Sequence, residues 1–534
     1  MEYTIDLVAG LFVVMAALAL LARRVSVPYP ILFVLGGLLL AIIPGLPRLR
    51  LQPEVVFYLF LPPLLFPSAL FTSWRDFSAN IRPISLLAIG LVLFTTVVVG
   101  WIAHSIAGLP VAAAFAFGAI VSPPDAVAAT AITQSLGVPR RIVTVLEGES
   151  LVNDASALVA LKFAVAALMT GAFSLPAAAV SFVVVSIGGV ALGLVVGWVS
   201  VRVQKVIDDP PVQIVISLLT PYGAYLIGER LDISGVLAVV TAGLYVGWRS
   251  SEISDAKTRL QAYPFWEMVV FLLNGIIFIL IGLQLPSVLD ALKGESISIT
   301  RLCGEALLIS IVIVLVRIIW VFPATYLPRV LFPSLRKRDP FPGWRNVSIV
   351  AWTGMRGVVS LAAALSIPEM LPNGRPFPGR NLILFFTFCV ILATLVVQGL
   401  SLPPLIRWLQ VHADSAAEHE EREARLQANY AAMARLDELA KDDGIPAQLV
   451  NRLRDEYKDR IQELQGCPLG PDAGAPQGMR NSPYTHLQQE ALQVERRIIL
   501  ALRNQRVIND EVMRRIERDL DLAEARLHLE PTGH

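Results

Sequence analysis

The stretch "EGESLVNDASALVALKFAVAALM", residues 147–169, sets carboxylate and amide side chains at the start of a long apolar run. Three of these residues, Glu149, Asn153 and Asp154, lie at the mouth of, or inside, a segment whose composition otherwise suits lipid. A charge at the centre of a bilayer costs from ~3 to more than ~10 kcal/mol, depending on how much water reaches it. The stretch therefore indicates a membrane helix that carries a polar site.

The chain as a whole has the composition of a polytopic membrane protein. Its 534 residues are 55% hydrophobic and 16% charged, with a mean hydropathy of +0.62, whereas soluble proteins carry about 25% charged residues. The first 410 residues hold 27 basic and 20 acidic residues, and the rest hold 17 and 23. We expect a transmembrane domain over residues 1–410 and an acidic tail over residues 411–534.

Apolar segments of about 20 residues, the length that crosses the hydrocarbon core, recur through the first 410 residues. One set of alternate loops holds 16 Lys or Arg and the other holds 7. Because cytoplasmic loops carry the excess of basic residues, the N-terminus should lie outside and the tail in the cytoplasm. The thirteen expected spans lie near residues 5–22, 28–46, 53–71, 83–107, 110–133, 139–170, 176–204, 211–229, 233–249, 264–286, 300–326, 346–370 and 381–409.

The fifth span is expected to break inside the membrane. Its sequence "FGAIVSPPDAVAAT", residues 117–130, contains Pro123 and Pro124 followed by Asp125. Proline lacks the backbone donor and clashes with the preceding turn. Open backbone at membrane depth is tolerated only within protein or beside a watery cavity, and such breaks bind ions in secondary transporters. The alternative is a proline kink in which Asp125 caps the second half-helix.

The twelfth span carries a second break signal. In "AWTGMRGVVSLAAAL", residues 351–365, Gly354 and Gly357 flank Arg356. Glycine weakens a helix, and this position mirrors that of span five in a second half of the domain. Arg356 would offset the charge of the acidic cluster, or it would snorkel to the cytoplasmic face.

Residues four apart in span six share one helix face. Ser150 and Asp154 are related in this way, as are Glu149 and Asn153. Hydroxyl, amide and carboxylate oxygens are the ligands that hard cations prefer, and a carboxylate in a poorly hydrated cavity binds a proton more readily. Asp154 can therefore hold either a proton or a cation, which is the basis of an exchange reaction. For Ser150 and Asn153 the alternative is a polar network that joins helices.

Two further charges lie among apolar residues. Arg317 occurs in "SIVIVLVRIIW", residues 310–320. An unpaired buried arginine is very unfavourable, so we expect a structural ion pair with Glu149 that orients span six. Lys162 lies two turns beyond Asp154, and either a cavity or the membrane surface would accommodate it.

Five segments, taken together in this order, resemble the bacterial monovalent cation:proton antiporter family of the sodium/proton exchanger type. They cover most of residues 10–409, and the Asn153–Asp154 pair is their most specific element. The segments are "SPPDAVAAT", "EGESLVNDASALV", "LDISGVLAVVTAGLYVG", "NGIIFILIGLQLP" and "TGMRGVVSLAAALSIP".

The resemblance implies an all-α polytopic fold with two inverted repeats, in which the broken spans five and twelve cross beside the ion. It also implies a six-helix core that moves against a dimer-forming bundle, as in an elevator. Two departures from the family pattern concern the site. Two prolines precede Asp125 and Ala126 follows it, where relatives commonly place a proline, and Pro67 stands where some relatives place an acid.

The same resemblance assigns roles to the site residues. Asp154 would carry the cation and the proton, with Asn153 as its partner. Asp125, the adjacent backbone at Pro124, and Ser150 would complete the cation site. An asparagine before Asp154 marks the electroneutral branch, which implies one proton for one cation.

The sequence therefore predicts an antiporter of the inner (plasma) membrane that exchanges Na⁺, or Li⁺ or K⁺, for H⁺. The alternatives are a K⁺-selective antiporter and an ion channel or membrane sensor that uses the tail as a regulatory domain, although a channel should show a repeated filter or charged rings. We expect no enzymatic activity, because the sequence has no HExxH, P-loop or Ser/His/Asp arrangement. We also expect no cofactor and no nucleic-acid partner, and the family resemblance implies a homodimer in the lipid bilayer.

The tail has the spaced apolar residues of helices over residues 415–465 and 484–529. The breaker-rich "GCPLGPDAGAPQG", residues 466–478, separates the two regions. We expect a helical hairpin used for folding or assembly. The alternative is regulation of transport by pH or by a partner.

Overall fold

The chain is helical throughout the part that its computed structural model describes. That part comprises residues 2–25, 27–43, 51–171, 174–253, 255–292, 298–371, 374–411, 416–441, 447–465 and 482–528. Within these ranges no strand forms, and extended pairing is limited to an isolated bridge between Met370 and Pro376. The predicted all-α fold is confirmed.

The helices fall into a membrane part, α1–α18, and a tail, α19–α22. Three of the membrane helices contain wider π-helical turns, at Val55–Phe60, Leu86–Leu91 and Thr394–Gln398. The membrane part comprises α1 (Glu2–Val25), α2 (Tyr29–Ala41), α3 (Val55–Leu70), α4 (Trp74–Ala79), α5 (Ile81–Ala107), α6 (Val111–Val121), α7 (Ala126–Ser135), α8 (Arg140–Thr170), α9 (Leu175–Gln204), α10 (Pro210–Arg230), α11 (Gly235–Ile253), α12 (Ala256–Leu283), α13 (Leu285–Leu292), α14 (Ile299–Leu331), α15 (Pro333–Arg338), α16 (Trp344–Trp352), α17 (Val358–Leu365) and α18 (Arg380–Trp408). The tail comprises α19 (Ala416–Leu439), α20 (Ala447–Leu464), α21 (Ser482–Asn504) and α22 (Asp510–His528).

Seven membrane-spanning candidates stand out in the described ranges by length and composition alone. They are α5, α8, α9, α10, α12 together with α13, α14 and α18. Three shorter apolar helices, α2, α3 and α6, coincide with further predicted spans. Ten of the thirteen predicted spans thus coincide with these apolar helices, and the number of thirteen crossings stays a prediction.

Both expected helix breaks are present. The first interrupts the chain between the end of α6 at Val121 and the start of α7 at Ala126, where Pro123 and Pro124 cannot continue the helix. The second lies between the end of α16 at Trp352 and the start of α17 at Val358. The two breaks leave short non-helical segments inside the bundle.

The membrane part packs as two groups of helices. A core group consists of α5–α8, α14 and α16–α18, and it contains both breaks and an apolar cluster around Phe117, Ile313 and Phe386. A flanking group consists of α1–α3 and α9–α12, with a second cluster around Phe66 and Trp266. Helix α8 lies at the boundary between the groups, because it packs against both α6 and α11.

One carboxylate ties together three helices of the core group. Asp339, which follows α15, accepts from Arg82 of α5 at 2.9 Å, from Arg141 of α8 at 2.8 Å and from Arg329 of α14 at 2.6 Å. Arg141 is half exposed and Arg329 is 3% exposed. These contacts lie where α5 and α8 begin and α14 ends. We call this the tail-side end of the membrane part.

The tail helices pack on each other and on that end of the membrane part. Arg259 at the start of α12 donates from Nε and Nη2 to the two Asp521 oxygens of α22, at 2.7 and 2.5 Å. The two side chains are 5% and 2% exposed. Arg140, the first residue of α8, pairs with Glu511 of α22 at 3.0 Å. The tail is therefore bound to both groups of helices rather than extending freely into solvent.

A third carboxylate of the tail is enclosed at this junction. Glu517 of α22 is 4% exposed. Burial raises the pKa of the Glu517 carboxyl, and the nearby Arg259 guanidinium partly offsets that rise. The contact between tail and membrane part is thus a desolvated charge network, in which each charge depends on its neighbours.

Replacing Arg259 by Met should loosen the tail, because the buried Asp521 carboxylate would lose its two-point partner and keep the single contact with Arg496 at 2.8 Å. Breaking a buried pair outright costs about 3–5 kcal/mol, and the remaining Arg496 contact should hold the loss below that. A fall in the thermal unfolding midpoint and faster trypsin cleavage within the tail would report the loss. Arg452→Met is the matched control, because Arg452 pairs with Glu456 on the exposed surface of α20, where ion pairs contribute about 0–1 kcal/mol. Equal effects of the two variants would contradict the prediction.

Candidate functional site

The two breaks are joined by hydrogen bonds between their backbones and side chains. The Asp125 backbone amide donates to the Met355 carbonyl at 2.7 Å. In the other direction, Arg356 Nε donates to the Val121 carbonyl at 3.0 Å. The Arg356 backbone amide donates to Thr394 Oγ1 of α18 at 3.1 Å. Each break therefore supplies partners for groups that the other leaves open.

Asp125 lies at the N-termini of two half-helices. Its Oδ1 accepts from the Val127 amide of α7 at 2.9 Å, and its carboxylate also accepts from the Val358 amide at the start of α17. The positive ends of both helix dipoles face this half-buried carboxylate and stabilise its charge. Asp125 thus has the capping role that was the alternative, in addition to its place beside the breaks.

Gly357 allows the carboxylate of Asp125 to approach this closely. A Cβ atom at Gly357 would overlap the Asp125 carboxylate itself. The sequence predicted Gly357 as a helix breaker. In the structure Gly357 also leaves room for the carboxylate of Asp125, which comes from the other break. Sequence reasoning missed this role because it depends on two segments more than 200 residues apart.

Asn153 and Asp154 face the breaks from the middle of α8, where both are buried. The Asn153 Nδ2 atom donates to the Pro124 carbonyl at 2.9 Å, which fixes the asparagine to the first break. Its Oδ1 atom has no hydrogen-bond partner within the described residues. This amide therefore offers one free acceptor beside the proline backbone.

The Asp154 carboxylate is 5% exposed, and no described residue donates a hydrogen bond to it or pairs with its charge. Ser150, half-buried, lies one helical turn before Asp154. The Asp154 carboxylate, the Ser150 hydroxyl and the Asn153 Oδ1 atom are oxygen ligands of the kind that hard cations prefer, so these residues stay the candidate cation site. Asp125 lies in the first break, next to the Pro124 carbonyl that Asn153 binds. Clusters of three or more His, Cys, Asp or Glu side chains that could hold a metal ion are absent among the described residues.

Glu149 and Arg317 form the ion pair that the sequence predicted. Arg317 Nη1 and Nη2 donate to the two Glu149 oxygens at 2.5 and 2.8 Å, and Arg317 Nε donates to the Val350 carbonyl of α16 at 3.1 Å. The two side chains are 1% and 0% exposed. The pair connects α8, α14 and α16 and cancels two charges next to the site.

Arg356 does not reach the membrane surface. Its side chain is 1% exposed and donates to the carbonyls of Val121 and Gly354. The snorkelling alternative is therefore wrong, and the guanidinium lies at the carbonyl end of α6.

Lys162 is exposed on α8, with its Nζ atom 3.7 Å from Glu229 of α10. Pro67 is buried inside α3, which thus presents no acid at that position.

Replacing Glu149 by Gln should destabilise the protein by about 3–5 kcal/mol, because it leaves the Arg317 charge buried and unpaired. The thermal unfolding midpoint in detergent would measure the effect. Glu305→Gln is the control, because Glu305 pairs on the same helix with the exposed Arg301 and should cost about 0–1 kcal/mol. A Glu149→Gln midpoint as high as that of the control would contradict a structural role for the pair.

The chain is similar to known proteins in sequence and in fold. Residues 10–408 match the family model described as sodium/hydrogen exchanger, transmembrane. An uncharacterized Na(+)/H(+) exchanger of Mycobacterium tuberculosis is 38% identical over 528 residues, 98% of this chain and 97% of that protein. A sodium, potassium, lithium and rubidium/H(+) antiporter of Bacillus subtilis is 38% identical over 71% of this chain and 58% of its own length.

Among solved structures, the fold is similar to that of the sodium proton antiporter MjNhaP1 from Methanocaldococcus jannaschii. The TM-score is 0.58 at 20% identity, over 77% of this chain and 99% of that one. Because the family model spans residues 10–408, the chain belongs to the sodium/hydrogen exchanger family.

Proposed function

We propose that this protein exchanges Na⁺ for H⁺ across the plasma membrane and that Asp154 carries both ions in turn. The observation that supports this most directly is a carboxylate buried at 5% exposure without a hydrogen bond or ion pair from any described residue. A buried charge without a partner is strongly unfavourable. Asp154 is stabilised when it takes up either a proton or a cation, and the two compete for the same oxygens.

The neighbouring groups favour one proton for one cation. Asn153 is neutral, and the Glu149 and Arg317 charges cancel. We infer that Asp125 keeps one protonation state through the cycle, because the Val127 and Val358 amides at the N-termini of α7 and α17 hold its carboxylate. Asp154 is then the one carboxylate whose charge changes in the cycle, so an exchange of Na⁺ for H⁺ moves no net charge. Asp125, Ser150 and the backbone at Pro124 complete the cation site.

The position of α8 supports alternating access. Ala155, the residue after Asp154, packs in one cluster with Phe66 and Val239 of the flanking group. Asp154 therefore lies at the boundary between the two groups of helices. We infer that the core group, built from two inverted repeats, moves past the flanking group and exposes the boundary to one side and then the other.

The cation range, assembly and orientation belong to the same proposal. The Bacillus subtilis relative is named for sodium, potassium, lithium and rubidium, so Li⁺ and K⁺ are further candidate substrates. The exposed apolar face of α9 is available to lipid or to a second copy in a homodimer. The N-terminus lies outside and the tail in the cytoplasm. A channel is less well supported, because the described polar residues form one asymmetric site rather than rings. No resident cofactor and no enzymatic step are required.

Asp154→Asn should abolish exchange, because an amide neither releases a proton nor neutralises a cation. The assay uses vesicles with a pH gradient, an internal pH dye and a voltage dye. Added Na⁺ should dissipate the gradient of the wild type by at least tenfold more than that of the variant, without a voltage signal. Asp208→Asn, in the loop between α9 and α10, is the matched control and should retain activity. Exchange that survives Asp154→Asn would refute the site, and a voltage signal would refute the stoichiometry.

Gly357→Ala should displace the Asp125 carboxylate, because the added Cβ would occupy its place. A misplacement of about 1 Å lowers rates up to ~100-fold in enzymes, and we expect the exchange rate to fall ~10- to 100-fold. Gly223→Ala in α10 is the control, since its Cβ would meet open space. Unchanged exchange by Gly357→Ala, in protein of normal thermal stability, would show that the close approach to Asp125 is dispensable.

A further inference from the structure

Helix α18 presents a polar face to the second break. Thr394, Gln398 and Ser401 are spaced four and three residues apart, so they share one side of the helix. Thr394 Oγ1 accepts from the Arg356 amide at 3.1 Å, and Ser401 Oγ accepts from Trp352 Nε1 at 2.9 Å. These two contacts hold the two ends of the second break. Gln398 lies between them, beside the open segment.

Gln398 is buried and unsatisfied. Its side chain is 1% exposed, and neither Nε2 nor Oε1 has a hydrogen-bond partner among the described residues. Among the buried Asn and Gln side chains of the described residues, Gln398 alone lacks a partner on both its nitrogen and its oxygen. Each buried unpaired polar group costs about 1–3 kcal/mol. A leucine, as at positions 395 and 402, would avoid this cost, so the amide points to a partner outside the protein.

The local backbone supports a functional role. Gln398 ends the π-helical turn Thr394–Gln398, and π-turns within helices occur frequently at functional sites. The next residue is Gly399, where a Cβ would lie 2.7 Å from Ile31 of α2 and 3.4 Å from Met355 Sδ. The turn thus brings α18 against the flanking group and the second break at once. This is the boundary at which Asp154 also lies.

Gln398 lies closer to the tail-side end than Asp154 does. Asp154 follows the start of α8 by 14 residues, and Gln398 precedes the end of α18 by 10 residues. At a rise of 1.5 Å per residue, the two depths are about 21 Å and about 15 Å. An ion that reaches Asp154 from the tail side therefore passes the level of Gln398 first.

We propose that Gln398 forms a second, shallower station for the transported cation, where its amide oxygen binds the partly hydrated ion on its way between the tail side and the Asp125–Asp154 pair. The amide nitrogen donates to a water molecule of that hydration shell. A neutral amide suits this role because it replaces lost water oxygens without trapping the ion as a carboxylate would. The inference rests on the proposed exchange function and adds a residue to its cation path.

The test compares Gln398→Leu with Thr387→Val. Thr387 lies on the same helix, is 0% exposed and has an unpaired hydroxyl, so its replacement removes a buried unsatisfied group elsewhere on α18. Initial exchange rates are measured against Na⁺ concentration, with Na⁺ added to either side of oriented vesicles. We expect Gln398→Leu to raise the half-saturating Na⁺ concentration about tenfold from the tail side and less from the other side. Its unfolding midpoint should be unchanged or higher, and Thr387→Val should leave both kinetic values unchanged.

The inference would be overturned if the half-saturating Na⁺ concentration of Gln398→Leu equalled that of the wild type on both sides. If the unfolding midpoint alone rose, Gln398 would affect stability and not cation binding. If Gln398→Leu fails to fold, Gln398→Met is measured in the same way, because methionine is apolar and similar in length. Failure of the proposed function is distinguishable: the wild type would then show no exchange with any monovalent cation. An active wild type with an unaffected Gln398 variant would reject the second station only.

Discussion

The hydrogen bonds between the two helix breaks are the constraint on which the site depends. Backbone groups that leave a helix inside a membrane have no water to bind, and here each break satisfies the other through Asp125, Met355, Arg356 and Val121. The same contacts place the negative and the positive side chain at opposite kinds of helix end. The acid lies at two helix N-termini and the arginine lies at a helix carbonyl end, which is the arrangement that the helix dipoles favour.

Much of this arrangement is encoded in local sequence signals. Apolar runs located the helices, because their length must match the bilayer. Prolines before Asp125 and glycines around Arg356 located the breaks, because those residues cannot continue a helix. Arg317, which lies among aliphatic residues in the middle of α14, was predicted as the partner of Glu149, since a buried charge without a partner is so unfavourable. In each case a large energetic cost, set by the residue type itself, leaves few possible local structures.

Other features have no local signature. The Met355 and Val121 carbonyls are generic backbone groups, and only the approach of segments more than 200 residues apart makes them partners. Thr394 and Gln398 stand in an ordinary apolar helix, so their orientation toward the second break became visible only in three dimensions. The docking of the tail likewise depends on Arg259 and Asp521, which are 262 residues apart. Charged residues are common near helix ends and in the tail, and sequence alone gives no reason to pair these two.

The three arginines that converge on Asp339 have a mechanical consequence. They bind the ends of α5, α8 and α14 to one shared carboxylate. If one of these helices tilted alone, Asp339 would lose a charged partner, whereas a rotation of all three helices together preserves every contact. Motion of these helices is therefore least costly as a rigid unit, so the oxygens around Asp154 keep their mutual geometry while their surroundings change.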